Sequence, residues 1–317
     1  MTSQLPRILI VGAGAIGGYY GAKLAQSGAE VSVVSRSDYA AVKQHGITIE
    51  SFSEGRFHFK PAHVCRHVAD YPGTPDYMLI TLKVLPEIDL RNIVGDKIGP
   101  NTTLVLIQNG VEIEAPIHQA LPTTPLISSL AFICVSRTAP GHIEHLCFGH
   151  LAMGCYPPAP ATPELKQLAE LFSQNGVEAA ITDDVVNARW KKLVWNAPFN
   201  AISVLGGGLT TTDIMADEAL VVLCEKVMQE VVVLAAAAGS PLPADVVEKN
   251  LANTRKMKPY RTSMLLDYEH GRPMEVDAIL GRAIAAARRL QVSLPHMQTL
   301  HALLAAKAQR QERPSTG

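Results

Sequence analysis

Lys192, Asn196 and Asn200 recur every four positions in RWKKLVWNAPFNAI. On an α-helix each such step turns by only about 40°, so the three side chains fall in one polar stripe. The flanking Trp190, Leu193, Val194, Trp195 and Phe199 are apolar, so this helix is expected to pack. A polar stripe on a packed helix reads as the wall of an active site, against the alternative of a solvated face. The chemistry it suits is reduction of a carbonyl: hydride arriving at the carbon leaves charge on the oxygen, and a cation that also donates a proton lowers that barrier. A lysine ammonium, protonated at pH 7, fits that role. Pro198 lies within the segment; it lacks an N–H and obstructs the carbonyl of Val194, so the helix is expected to kink or end there and carry Asn200 off the line.

A second set of residues points to the source of hydride. The run RILIVG leads directly into GAGAIGG, with Gly12, Gly14 and Gly17 in GxGxxG spacing and AKLAQSG continuing as a helix. In a strand–turn–helix context Gly12 permits the tight turn, Gly14 lets the backbone approach a pyrophosphate, and Gly17 lets helix and sheet pack closely. The phosphates would sit at the helix N-terminus, around Ala15 and Ile16, where N–H groups and the macrodipole favour anions. The next strand, EVSVVSR, ends in Ser35 and Arg36 where an NAD site usually carries a carboxylate. A guanidinium can pair with a 2′-phosphate, which favours NADP; the alternative is a solvated loop arginine. Lys83 at the end of YMLITLK and Asn109 after TTLVLIQ stand at strand ends, where ligands of doubly wound sheets collect, and each could equally be an exposed loop residue. Further on, TSMLLDYEHGRPMEVD puts Ser263 on one helix, Gly271 as its terminator and Glu275 in the first turn of the next.

These residues need two scaffolds. With 317 residues, about two domains are expected. From Ile8 to about Thr182, short β-branched runs alternate with longer mixed segments, the pattern of βαβ units on a parallel sheet, with HIEHLCFGHLAMG and GVEAAIT finishing or edging it. After Asp183 and Asp184 apolar residues recur at helical spacing, and Gly206–Gly208, Gly239–Pro243, Gly271–Pro273 and Pro295 punctuate helices. The expectation is α/β plus all-α: an N-terminal Rossmann-like, doubly wound parallel sheet over 1–182 that binds NADP, and a C-terminal helical substrate and catalytic domain over 183–317. The polar tail from Gln309 to Gly317 is expected to fray.

Composition narrows the function classes. Lys and Arg number 28 against 29 Asp and Glu, a formal net charge of −1, so no electrostatic footprint for nucleic acid is present. MTSQLPRILIVGAG reaches a strand-like run within a few residues, leaving no room for an export signal, and Val231–Gly239 is too short to span a membrane. Cys65, Cys134, Cys147, Cys155 and Cys224 contain no CxxC pair, so free thiols in a reducing cytoplasm are expected. His142, His145, Cys147 and His150, like His63, Cys65 and His67, lie close in sequence but alternate in facing along a strand, so no metal site is expected.

Taken together, the glycine turn, Arg36, TLK, QNG, WKKLVWNAPFN and the twelve-residue step from Ser263 to Glu275 resemble the ketopantoate reductase family over nearly the whole chain. The resemblance implies a Rossmann-like domain followed by a helical domain with the site between them, and NADPH-dependent reduction of ketopantoate to pantoate in pantothenate biosynthesis. It implies NADPH held by Gly12, Gly14, Ala15, Ile16, Gly17, Arg36, Lys83 and Asn109. By the same resemblance Lys192, not Lys191, is the catalytic acid with Glu275 at the catalytic site, and Asn109, Lys192, Asn196, Asn200, Ser263 and Glu275 hold a small 2-oxo acid. Pro198, QNG without a preceding histidine, and LAFICVSRTAPGHIEH depart from the family pattern. Reduction of another branched 2-oxo acid or a derived imine, and a non-catalytic NADPH sensor, are the alternatives. The apolar C-terminal helices are compatible with a homodimer.

Overall fold

The structure, a computed structural model, describes residues 5–312. They divide into two compact units. One comprises the described residues up to Lys83, Glu87–Gln108 and Glu114–Val185; the other comprises Val84–Pro86, Asn109–Ile113 and the described residues from Val186 onward.

The first unit is built on a ten-stranded sheet: β1 (Arg7–Val11), β2 (Glu30–Val34), β3 (Ile47–Ser51), β4 (Gly55–Phe59), β5 (Val64–Cys65), β6 (Tyr77–Ile80), β7 (Thr103–Ile107), β8 (Leu126–Ala139), β9 (His142–Tyr156) and β10 (Ala179–Ile181). The spatial order β5-β2-β1-β6-β7-β8 is parallel throughout and is the nucleotide-binding arrangement, with the order reversing beside β1. Ile8, Leu9, Ile10, Met78, Leu79, Val105 and Leu106 are buried, as the continuous apolar runs of strands covered on both faces require. Beyond β8 the sheet is mixed. β9 runs antiparallel to β8, then parallel to β3, and β3 and β4 form an antiparallel hairpin at the edge. So β9 does not edge the sheet; it joins the parallel core to that hairpin.

The β8–β9 pairing also corrects the reading of the cysteines. Cys134 and Cys147 are direct partners across the two strands and form a disulfide, their Cα atoms 5.0 Å apart. Opposed residues of an antiparallel pair have neighbouring Cβ atoms, a proximity that the 13-residue separation conceals until the turn at Pro140–Gly141 is known. Cys65, Cys155 and Cys224 are free and buried. His145 is held by Ser51 Oγ and the Phe148 carbonyl, and among the described residues no group of three or more His, Cys, Asp and Glu side chains gathers as a metal site.

The glycine turn follows β1 and opens helix α1 (Ala15–Gln26). Gly12 has φ +107°, and a Cβ there would lie 2.8 Å from Leu82. A Cβ on Gly17 would lie 2.2 Å from the Gly12 carbonyl oxygen and 2.5 Å from Thr81 Oγ1, so helix and sheet meet here backbone to backbone. A Cβ on Gly14 would meet nothing within 4 Å.

The second unit is helical, with α2 (Val185–Leu205) entering it and α3 (Thr211–Ala216), α4 (Glu218–Ala237), α5 (Val246–Arg255), α6 (Ser263–Glu269), α7 (Arg282–Leu290) and α8 (Pro295–Glu312) completing it. α2 does not end at Pro198. Val194, Ala197, Phe199, Ala201 and Ile202 on either side are buried in the unit's core, and that packing carries the helix to Leu205 despite the lost N–H. The glycine and proline breaks fall between helices as expected, and Pro295 opens α8, where its missing N–H costs nothing. The tail is helical through Glu312, not frayed from Gln309, and residues 313–317 lie outside the described residues. Among the described residues no helix is long and apolar enough to cross a membrane.

The glycines give a paired expectation. Gly17→Ala should cost about 1–3 kcal/mol in urea unfolding through overpacking, whereas Gly14→Ala, whose methyl enters open space, should unfold like wild type. Equal stability of the two variants would contradict the close helix–sheet approach.

Candidate active site

α2 supplies the central side chain of the helical unit. The Lys192 ammonium donates to Asn109 Oδ1 at 2.9 Å, bringing the turn after β7 against α2. Lys192 is only partly accessible, and its pKa is lowered to about 7: burial is the largest cause, the neighbouring Arg189 guanidinium acts in the same direction, and the Glu275 carboxylate opposes both. Desolvation thus brings the group from the ordinary lysine range down toward neutrality. A proton donor is most effective with a pKa near the working pH.

Glu275 sits immediately ahead of a π-helical turn over Asp277–Gly281, not within the first helical turn, and its backbone carbonyl accepts from Ile279 N–H. One carboxylate oxygen accepts from the Val84 N–H at 2.9 Å. Gly110, at φ +103°, lies so close to this segment that a Cβ would stand 2.6 Å from the Ala278 carbonyl oxygen. Thus Asn109, Lys192 and Glu275 are brought together.

The remaining stripe residues divide. Asn196 is half-buried one turn beyond Lys192. Asn200 is 2% exposed, its Nδ2 donating to the Asn196 carbonyl and its Oδ1 accepting from Met264 N–H. That carboxamide joins α2 to the first turn of α6, assisted by the Ser203–Thr262 hydroxyl pair. Ser263, the first residue of α6, is exposed.

In the sheet unit the glycine turn, Ser35 and Arg36 after β2, and Lys83 three residues past β6 all follow the carboxyl ends of parallel strands. Arg36 is exposed and Lys83 half-buried. The first turn of α1 has no acidic residue and no side-chain cap, and the N–H groups of Ala15, Ile16 and Gly17 have no acceptor within the helix. With the open space at Gly14, these donors fit a dinucleotide pyrophosphate.

Two contributors escaped the sequence reading. Arg189, 2% exposed and three residues before Lys192, donates from Nη1 to the Gly110 carbonyl at 3.0 Å. Its i, i+3 spacing to Lys192 was the available signal, but arginine on a helix ordinarily reads as solvated. The Val84 N–H carries no side-chain signal at all.

Comparison with known proteins identifies the family. Residues 8–158 match the family described as "Ketopantoate reductase PanE/ApbA", and residues 184–308 match its C-terminal counterpart. The chain belongs to the ketopantoate reductase family. A 2-dehydropantoate 2-reductase from Nostoc sp. is 35% identical over 296 residues, covering 92% of each chain. The crystal structure of 2-dehydropantoate 2-reductase from Methylococcus capsulatus superposes with a TM-score of 0.91 at 46% identity, covering 98% of this chain and 99% of that one. That from Geobacter metallireducens gives 0.88 at 33% identity, covering 95% and 99%. This ketopantoate reductase family member is an oxidoreductase on a nucleotide-binding fold.

Its Lys192 predicts a pH dependence of folding. The folded-state value of about 7 lies below the ordinary 10.5, so between those values the unfolded chain holds more protons and this group's contribution to stability rises with pH. Urea unfolding from about pH 6 to about pH 10 should show wild type gaining on Lys192→Met as pH rises. Parallel curves would contradict a desolvated lysine.

Proposed function

We propose that the chain catalyses NADPH-dependent reduction of ketopantoate (2-dehydropantoate) to pantoate, with Lys192 as the proton donor. The observation that carries this reading is the half-buried ammonium, bonded to the Asn109 carboxamide and facing the Glu275 carboxylate, with a pKa near 7. NADPH, when bound, supplies hydride to the C2 carbonyl carbon. The chain must then stabilise the charge that develops on the C2 oxygen and protonate it. Lys192 does both, since a desolvated ammonium stabilises nearby negative charge strongly and gives up its proton readily.

The other assignments follow from donor type. Gly12, Gly14 and Gly17, with the N–H groups of Ala15 and Ile16, receive the pyrophosphate. Arg36 pairs with the 2′-phosphate, which is the support for NADP over NAD. Lys83 offers a cation to phosphate or to the substrate carboxylate, and the Asn109 carboxamide serves ribose or substrate as well as the ammonium. Asn196 and Ser263 donate to the substrate's carboxylate and hydroxyl groups. Glu275 balances the charge around Lys192 and accepts from a substrate hydroxyl. Asn200 contributes by seating α6, on which Ser263 stands.

Steady-state assays of NADPH oxidation with ketopantoate and a panel of other 2-oxo acids test the proposal. Lys192→Ala should lower kcat about 100-fold or more while NADPH binding persists. Ketopantoate should give the highest kcat/KM, and turnover with no 2-oxo acid would refute the reading. Arg36→Ala should raise KM for NADPH about tenfold and leave NADH kinetics nearly unchanged, since one charge-assisted contact is removed. Equal effects on both cofactors would contradict the 2′-phosphate assignment.

A further inference from the structure

Arg189 stands one helical turn ahead of Lys192 on α2 and is 2% exposed. A guanidinium does not lose its charge in a protein, so its burial beside a second cation demands fixed acceptors. One is the Gly110 carbonyl, 3.0 Å from Nη1. Gly110 is the residue after Asn109, whose Oδ1 accepts from Lys192. The turn has no slack, because Gly110 is seated against the Ala278 carbonyl with no space for a Cβ. The contacts Arg189–Gly110, Asn109–Lys192 and the helical turn from 189 to 192 close a ring. Where Arg189 holds the carbonyl decides where the carboxamide of the preceding residue falls.

We propose that Arg189 is a positioning residue of the lysine site: by gripping the Gly110 carbonyl it sets the Asn109 carboxamide opposite the Lys192 ammonium. The inference rests on the reading of Lys192 as proton donor. Two charged groups face Lys192, Arg189 from its own helix and Glu275 from the segment ahead of the π-helical turn, and they act with opposite sign. Removing the guanidinium takes away one of the two influences that lower the Lys192 pKa and leaves burial opposed by the carboxylate, so the ammonium keeps its proton to higher pH.

The test compares kcat–pH profiles of wild type, Arg189→Met, Arg189→Lys and Lys192→Ala with NADPH and ketopantoate. For Arg189→Met the plateau kcat should fall about tenfold, KM for NADPH should hold, and the alkaline limb should move up by about one pH unit. Arg189→Lys restores the charge, so its limb should return to the wild-type position with part of kcat recovered. An unmoved limb in Arg189→Met, or a KM for NADPH that rises in step with the loss of kcat, would overturn the proposal. If Arg189→Met does not fold, Arg189→Lys decides: a lowered kcat with limb and KM at wild-type values supports positioning, and an undiminished kcat overturns it. Wild-type turnover by Lys192→Ala would remove the underlying reading as well, whereas an inactive Lys192→Ala beside an unmoved limb in Arg189→Met removes only the role of Arg189.

Discussion

An ammonium can be taken partly out of water only if polar groups replace some of its hydration, and the helical unit is arranged around that requirement. Lys192 has the Asn109 carboxamide as hydrogen-bond acceptor and the Glu275 carboxylate as countercharge. Each of these is itself fixed, Asn109 through the carbonyl of its neighbour Gly110 and Glu275 through the Val84 N–H. The compensation is incomplete, because burial outweighs the countercharge and the proton is held loosely. A site that fully solvated its lysine would carry a cation that binds anions but gives up its proton reluctantly.

The sheet unit solves a different problem with less chemistry. Its glycines remove side chains from three places: at Gly12, where the backbone turns at positive φ, at Gly14, where the space beside the backbone is open, and at Gly17, where α1 must touch β1 and Thr81. In the function proposed above, anion recognition then falls to backbone N–H groups, which need neither titration nor a rotamer choice. In the same proposal, proton chemistry is left to one residue of the helical unit.

Much of this could be read from the chain because it depends on local spacing. The glycine turn is contiguous with its strand and helix, and the step of four from Lys192 to Asn196 announces a common helix face. The contributions that stayed hidden depend on partners far away in sequence. The β3–β4 hairpin matters because β9 pairs with β3, and the Cys134–Cys147 disulfide follows from the β8–β9 register. Glu275 finds its donor 191 residues earlier, and Arg189 finds the Gly110 carbonyl 79 residues earlier. Pro198 shows the opposite case, a local signal for a helix end that the packing of α2 in the core overrides. Asn200 lay on the legible stripe, yet its amide is spent on α6, because a helix N-terminus needed an acceptor there.

A crystal structure of the chain with NADP+ and pantoate bound tests the central claim most directly. The account predicts the Lys192 nitrogen within about 2.6–3.2 Å of the C2 hydroxyl oxygen, still beside the Asn109 carboxamide. A C2 oxygen bonded to some other donor, with the lysine nitrogen turned away from it, would contradict the account.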